Sequence, residues 1–192
     1  MINLIIEIIA VISAILYLLL AAKEDIKCWY AAIISSLLYF FIMYDAGLIM
    51  EAYLQVFYII MALYGLLQWT KLIQINSNNT IRTWSNIQHF ITISSVIILA
   101  IITGFILTKY TNAAMPFLDA FTSWGAIVTT YMVAKKILEN WIYWFVIDAI
   151  SIYLFLSREL YLTSILFFVY LIIICFGYIA WRKRYLEFNE RH

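Results

Sequence analysis

The second half of the chain repeats the first, in register and without a gap. Residues 22–71, moved forward by 112 positions, fall on residues 134–183. Ala22 meets Ala134, Lys23 meets Lys135, Trp29 meets Trp141 and Leu48 meets Leu160. Tyr58 meets Tyr170, Ile60 meets Ile172, Gly65 meets Gly177, Trp69 meets Trp181 and Lys71 meets Lys183. The tryptophan and glycine pairs carry the repeat, because coincidences of Leu or Ile mean little in an apolar chain. A duplicated unit folds twice and packs against its copy. In a membrane protein the interface between such copies is where a translocation pathway runs.

Composition places the chain in a bilayer. Of 192 residues, 66% are hydrophobic and 12% charged, and the mean hydropathy is +0.96. A soluble domain of this length has no interior large enough for so much apolar surface. Seven stretches approach the roughly 20 apolar residues that cross a membrane: 3–22, 26–44, 48–69, 89–108, 117–135, 139–156 and 160–181. Pro116 and the Asp45/Gly47 pair fall in the connections, where helix breakers belong. Trp29, Tyr30, Trp69, Trp141, Tyr161 and Trp181 crowd the span ends as an interfacial belt. The first span has no basic leader and no cleavage site, so it is expected to be retained.

Spans and repeat together predict an all-α integral membrane protein. Residues 1–71 form a first three-helix unit, 72–116 a linker with span four, 117–183 a second three-helix unit and 184–192 a tail. A unit with an odd number of spans would return inverted; the extra fourth span restores its direction. The two units are therefore expected to be parallel, related by a pseudo-two-fold axis along the membrane normal.

Orientation follows from the basic residues. One side collects Lys23, Lys27, Lys71, Arg82, Lys135, Lys136, Arg182, Lys183, Arg184 and Arg191, and the other only Lys109 and Arg158. The positive-inside rule puts the amino terminus outside and the carboxyl terminus in the cytoplasm. Arg182-Lys183-Arg184 is chiefly a topology signal, with a lipid headgroup contact as the alternative. A net charge of +1 implies no nucleic-acid partner.

Other chemistries lack their residues. There is no Gly-rich phosphate loop and no room for a soluble nucleotide-hydrolysing module. Cys28 and Cys175 lie far apart and read as core residues; His89 and His192 have no metal-binding pattern. Residues 160–181 contain no lysine for a retinal Schiff base. No catalytic set, metal or cofactor is expected.

The polar residues inside the spans are few. Asp148 lies about nine positions into span six, where an exposed carboxylate costs about 3 kcal/mol. Helical spacing puts Asn140, Trp144, Asp148 and Ser151 on one stripe, bordered by Trp141. An amide, an indole, a carboxylate and a hydroxyl suit a flat-ringed ligand with hydroxyl groups: indole faces stack on rings and attract cations, and a carboxylate accepts hydroxyls. A structural polar cluster that locks helices together is the alternative. A second stripe in span three holds Tyr64 and Gln68, with Trp69 beside them. Span five adds Trp124 and Tyr131 on one face, and Thr129 and Thr130, whose hydroxyls are expected to bond back to their own helix. Gly125 and Gly177 allow close helix approach.

Tyr64-Gly65-Leu66-Leu67-Gln68-Trp69 resembles the Tyr-Gly-x-x-Gln-Trp signature of the PnuC vitamin transporters. Glu139-Asn140-Trp141-Ile142-Tyr143-Trp144, followed by Asp148, is similar to their sixth-span signature. Leu160-Tyr161-Leu162-Thr163 and the closing Gly177-Tyr178-Ile179-Ala180-Trp181-Arg182-Lys183 resemble that family's last span. The resemblance implies a small bacterial inner-membrane protein with a fold like the full-length SWEET sugar transporters. It implies facilitated uptake of nicotinamide riboside, trapped by a cytoplasmic kinase, and assembly as a homotrimer. Relatives carry thiamine or riboflavin instead. By this likeness the substrate-binding residues are Gln68, Trp69, Asn140, Trp141, Trp144 and Asp148, with Tyr64, Trp124, Tyr131 and Ser151 as a second tier. Two alternatives stand beside nicotinamide riboside transport: the same fold carrying thiamine or riboflavin, and a structural or assembly membrane subunit with no cargo.

Overall fold

The computed structural model describes residues 2–45, 49–74, 81–111, 115–157, 159 and 161–190. These form helices α1 (Ile2–Ala22), α2 (Lys27–Asp45), α3 (Ile49–Gln74), α4 (Asn86–Tyr110), α5 (Pro116–Ala134), α6 (Asn140–Ser157) and α7 (Tyr161–Asn189). Each corresponds to one expected span. Pro116 lies not in a connection but at the first position of α5, where its missing N–H leaves no helical bond unmade. Asp45 closes α2, and Gly47 lies outside the described residues. α7 runs on through the expected tail to Asn189, because neither Gly nor Pro interrupts residues 181–189.

Five helices are long and apolar enough to cross a membrane. α2 carries a shorter apolar run, Lys27–Ile42. α5 is diluted by hydroxyls, which its own backbone satisfies: Thr122 donates to Leu118 O, Thr129 to Gly125 O and Thr130 to Ala126 O. The expectation for Thr129 and Thr130 holds.

Among the described residues six helices close into a ring. α1 packs on α2, α2 on α3, α3 on α5, α5 on α6, α6 on α7 and α7 back on α1. The joints between the halves, α3 on α5 and α7 on α1, are equivalent under the repeat. α4 stands outside the ring, packs mainly on α5, and reaches α6 through His89, whose Nδ1 lies 2.8 Å from the Tyr143 hydroxyl. Its buried residues Val96, Ala100 and Gly104 recur every four positions, and Phe117 lies over Gly104 so closely that a Cβ there would clash. The Trp124 indole donates to Thr103 Oγ1 at 3.0 Å, tying α5 to α4. Ser85 and Gln88 cap the start of α4 reciprocally.

The repeat recurs in the hydrogen bonds of the turns. Asp25 N donates to Leu20 O at 3.0 Å, and Ile137 N to Met132 O at 2.9 Å. Glu24 N donates to Ala21 O, and Lys136 N to Val133 O, both at 3.0 Å. Cys28 N reaches Asp25 O, and Asn140 N reaches Ile137 O. Glu24 and Lys136, 112 positions apart, both take the left-handed conformation, with φ of 56° and 55°. That region is uncommon for residues with a side chain. Geometry has outlasted identity here, since an acid and a base hold the same place.

Candidate functional site

One end of the ring, where α1 meets α2 and α5 meets α6, is filled by four tryptophans. Trp29, Trp69, Trp141 and Trp181 are each at most 2% exposed. Trp29 meets Trp69 edge to face, with centroids 5.4 Å apart and planes at 85°. Trp141 meets Trp181 at 5.5 Å and 85°. These are the same pair repeated, and Trp69 and Trp181 close the group across the axis at 6.4 Å. Each half needs its glycine. Trp29 lies directly on Gly65 and Trp141 directly on Gly177, leaving no room for a Cβ at either position.

The indoles also cross between the halves. Trp69 Nε1 donates to Val133 O at 3.3 Å, and Trp181 Nε1 to Ala21 O at 3.0 Å. Val133 and Ala21 are equivalent positions, so one bond is made twice. Trp29 Nε1, Trp141 Nε1 and Asn140 Oδ1 are buried with no partner among the described residues. Asn140 Nδ2 is held by Ile137 O at 2.6 Å.

Beside the tryptophans lies a charge cluster. Lys136 is fully buried, its Nζ 2.8 Å from Glu24 Oε2 and 4.4 Å from the centre of a Trp69 ring. Burial pulls the Lys136 ammonium below the ordinary lysine value, and Glu24 pulls it back up. Arg184 donates to Glu24 Oε1 at 2.7 Å and to Lys23 O at 2.9 Å.

The α6 stripe climbs away from this end. Asn140, Asp148 and Ser151 are buried and Trp144 is half-buried against the tryptophan cluster. Eight residues of helix place Asp148 roughly 12 Å beyond Asn140. Ser151 donates to its own helix, at Ile147 O. Tyr58 of α3 and Tyr170 of α7, equivalent under the repeat, lie within electrostatic reach of Asp148. Both tyrosines fall on the repeat's alignment, which was the one signal that pointed to them.

The ten candidate residues do not all meet. Trp69, Asn140 and Trp141 belong to the tryptophan closure. Trp144, Asp148 and Ser151 lie above it on α6. Tyr64, Gln68 and Tyr131 group between α3 and α5, Tyr64 packing against the tryptophan cluster and stacking on Tyr131 at 6.3 Å, with Lys135 Nζ donating to Gln68 Oε1 at 3.3 Å. Trp124 faces α4 rather than this face of α5. A groove of about 590 Å³ between α3, α4 and α5 is lined by residues including Trp84, Gln88, Thr92 and Tyr131, and Tyr131 is its one candidate residue. Of the cysteines, Cys28 is fully buried as expected, whereas Cys175 is exposed on α7, a position where apolar character suits a lipid-facing surface. Among the described residues no three His, Cys, Asp or Glu side chains group as metal ligands.

The chain matches the nicotinamide mononucleotide transporter family over residues 4–183, nearly its whole length. It belongs to that family. Within it, the chain is similar to the nicotinamide riboside transporter PnuC of Escherichia coli strain K12 and to that of Shigella flexneri. It is 25% identical to each over 214 residues, covering 97% of this chain and 88% of the relative. It also superposes on the crystal structure of the vitamin B3 transporter PnuC with a TM-score of 0.75 at 21% identity, over 93% of this chain and 81% of the other. The likeness read in the signatures of α3, α6 and α7 thus extends through α1, α2 and α4, where the sequence gives little hint.

Proposed function

We propose that the protein carries nicotinamide riboside by facilitated diffusion into the bacterial cytoplasm, where a separate kinase phosphorylates and traps it. Family membership over residues 4–183 supports transport, and the printed function of the two bacterial relatives supports the riboside. The observation that carries the site is Asp148, buried at mid-span above a half-exposed indole inside a ring of helices. Trp144 stacks on the pyridinium ring, and Asp148 accepts ribose hydroxyls and balances the ring's positive charge. Asn140, Ser151, Tyr64, Gln68 and Tyr131 come into reach as the halves move. Trp69 and Trp141 act on cargo through the inner closure.

Charge separates riboside from mononucleotide. All twelve Lys and Arg lie at the ends of the spans, none at the depth of Asp148. A phosphate dianion passing a buried carboxylate would need cationic donors there, so the unphosphorylated cargo fits better. The protein does no chemistry on it. The units are residues 1–71 and 117–183 joined by 72–116. The amino terminus lies outside and the carboxyl terminus in the cytoplasm of an inner-membrane homotrimer, a topology supported by the ten basic residues on one side.

Calorimetry on purified protein tests this reading. Nicotinamide riboside is expected to bind, nicotinamide mononucleotide to bind at least tenfold more weakly, and Trp144→Ala to abolish both signals. Binding of thiamine alone would keep the stripe and change the cargo; silence with every vitamin would leave the protein a structural subunit.

A further inference from the structure

The repeat makes the closure largely symmetric, although Arg82 bridges the second turn alone, its N–H donating to Lys136 O and its carbonyl accepting from Leu138 N–H, and Asn140 stands where the first half has Cys28. Most turn bonds match, the tryptophan pairs match, and the indole-to-carbonyl bonds across the halves match. At the left-handed apex of each turn, however, one half presents Glu24 and the other Lys136. Identical residues there would face each other across the axis as like charges, or as neutral groups with nothing to hold. Opposite charges turn the meeting point into an ion pair at 2.8 Å that joins the first half to the second. Lys136 is fully buried, and Arg184, from the inner end of α7, ties the free oxygen of Glu24 from outside. Removing one member of a buried pair exposes the full desolvation penalty of the other. Separating the pair therefore needs water or cargo to replace the lost partner.

We propose that Glu24 and Lys136 form the latch of the inner gate. Their pairing holds the four tryptophans closed, and their separation lets the halves rock apart and release cargo to the cytoplasm. Trp69, beneath the Lys136 ammonium, couples the latch to the plug. Arg184 is a tether that biases the latch toward the closed state. The proposal rests on the transport reading only for the word cargo; the gate itself concerns access to the ring.

Cys28 reports on that access. It is fully buried in the tryptophan cluster, one position before Trp29 and within electrostatic reach of Lys136. The experiment measures the rate at which a charged maleimide modifies Cys28 in the full chain in lipid nanodiscs, with Cys175→Ala removing the exposed thiol. Glu24→Gln with Lys136→Met deletes the latch without leaving a buried charge alone, and should raise the rate at least tenfold while the melting temperature changes little. Arg184→Gln keeps the buried pair and unties its outer oxygen, and should raise the rate by a smaller factor. If the double variant folds and labels at the parental rate, the latch is overturned. If it does not fold, Arg184→Gln decides: a parental rate overturns the proposal and a raised rate upholds it. Because no cargo is added, a wrong cargo assignment leaves this result untouched.

Discussion

Gly65 and Gly177 are where single atoms matter most. Each lies directly under a tryptophan from the helix one before it in its own half. Gly177→Ala and Gly65→Ala should each destabilise the protein by about 1–3 kcal/mol through overpacking. The check is thermal unfolding in detergent, and a melting temperature unchanged in both variants would mean the indoles give way freely. The indole bonds offer a finer test. Trp69→Phe and Trp181→Phe each remove one crossing hydrogen bond, worth about 1 kcal/mol. Both variants should destabilise, and Trp69→Phe more, because it also loses ring face beneath the Lys136 ammonium; a loss from Trp181→Phe alone would contradict the paired bonds. At this scale the sequence was informative about pairing and poor about roles. The alignment of Trp29 with Trp141, and of Trp69 with Trp181, was plain in the chain. That all four would be enclosed together was not, since a belt tryptophan and a plug tryptophan have the same spacing and differ only in what the opposite half supplies.

Among the elements α4 is the exception. It has no counterpart in the repeat, packs mainly on α5, and turns Phe90, Ile91, Ile98, Ile102 and Phe105 outward. Its attachment depends on small residues and on two polar links, Thr103 to Trp124 of α5 and His89 to Tyr143 of α6. Trp124→Phe should loosen α4 by about 1 kcal/mol while leaving cargo affinity within twofold. Faster amide exchange along α4, with unchanged calorimetric affinity, is the expected outcome; a lost affinity would return Trp124 to the binding site. Helix existence was legible throughout, because unbroken apolar runs fix it. The end of α7 was not: apolarity stops at Trp181, but the helix continues because charged residues propagate a helix as readily as apolar ones. The position of Trp124 was also out of reach, since a face shared with Tyr131 on one helix does not say which neighbour covers it.

At the scale of the whole molecule, the repeat foretold two parallel three-helix units with a linker, and the ring of six helices with α4 outside it is that arrangement. What the repeat could not foretell is how the halves meet. The offset of 112 set Glu24 against Lys136 in plain view, yet an aligned acid and base look like drift until the turns bring them together. These levels meet in one proposal: a carboxylate and an indole at mid-membrane bind nicotinamide riboside, and the halves rock about them without an ion gradient. Proteoliposomes holding the purified protein test it directly. External labelled nicotinamide riboside should enter until inside and outside concentrations are equal, with or without a pH or sodium gradient, and Trp144→Ala should cut the initial rate at least tenfold. Accumulation above the external concentration under a gradient, or equal flux through the Trp144→Ala protein, would contradict it.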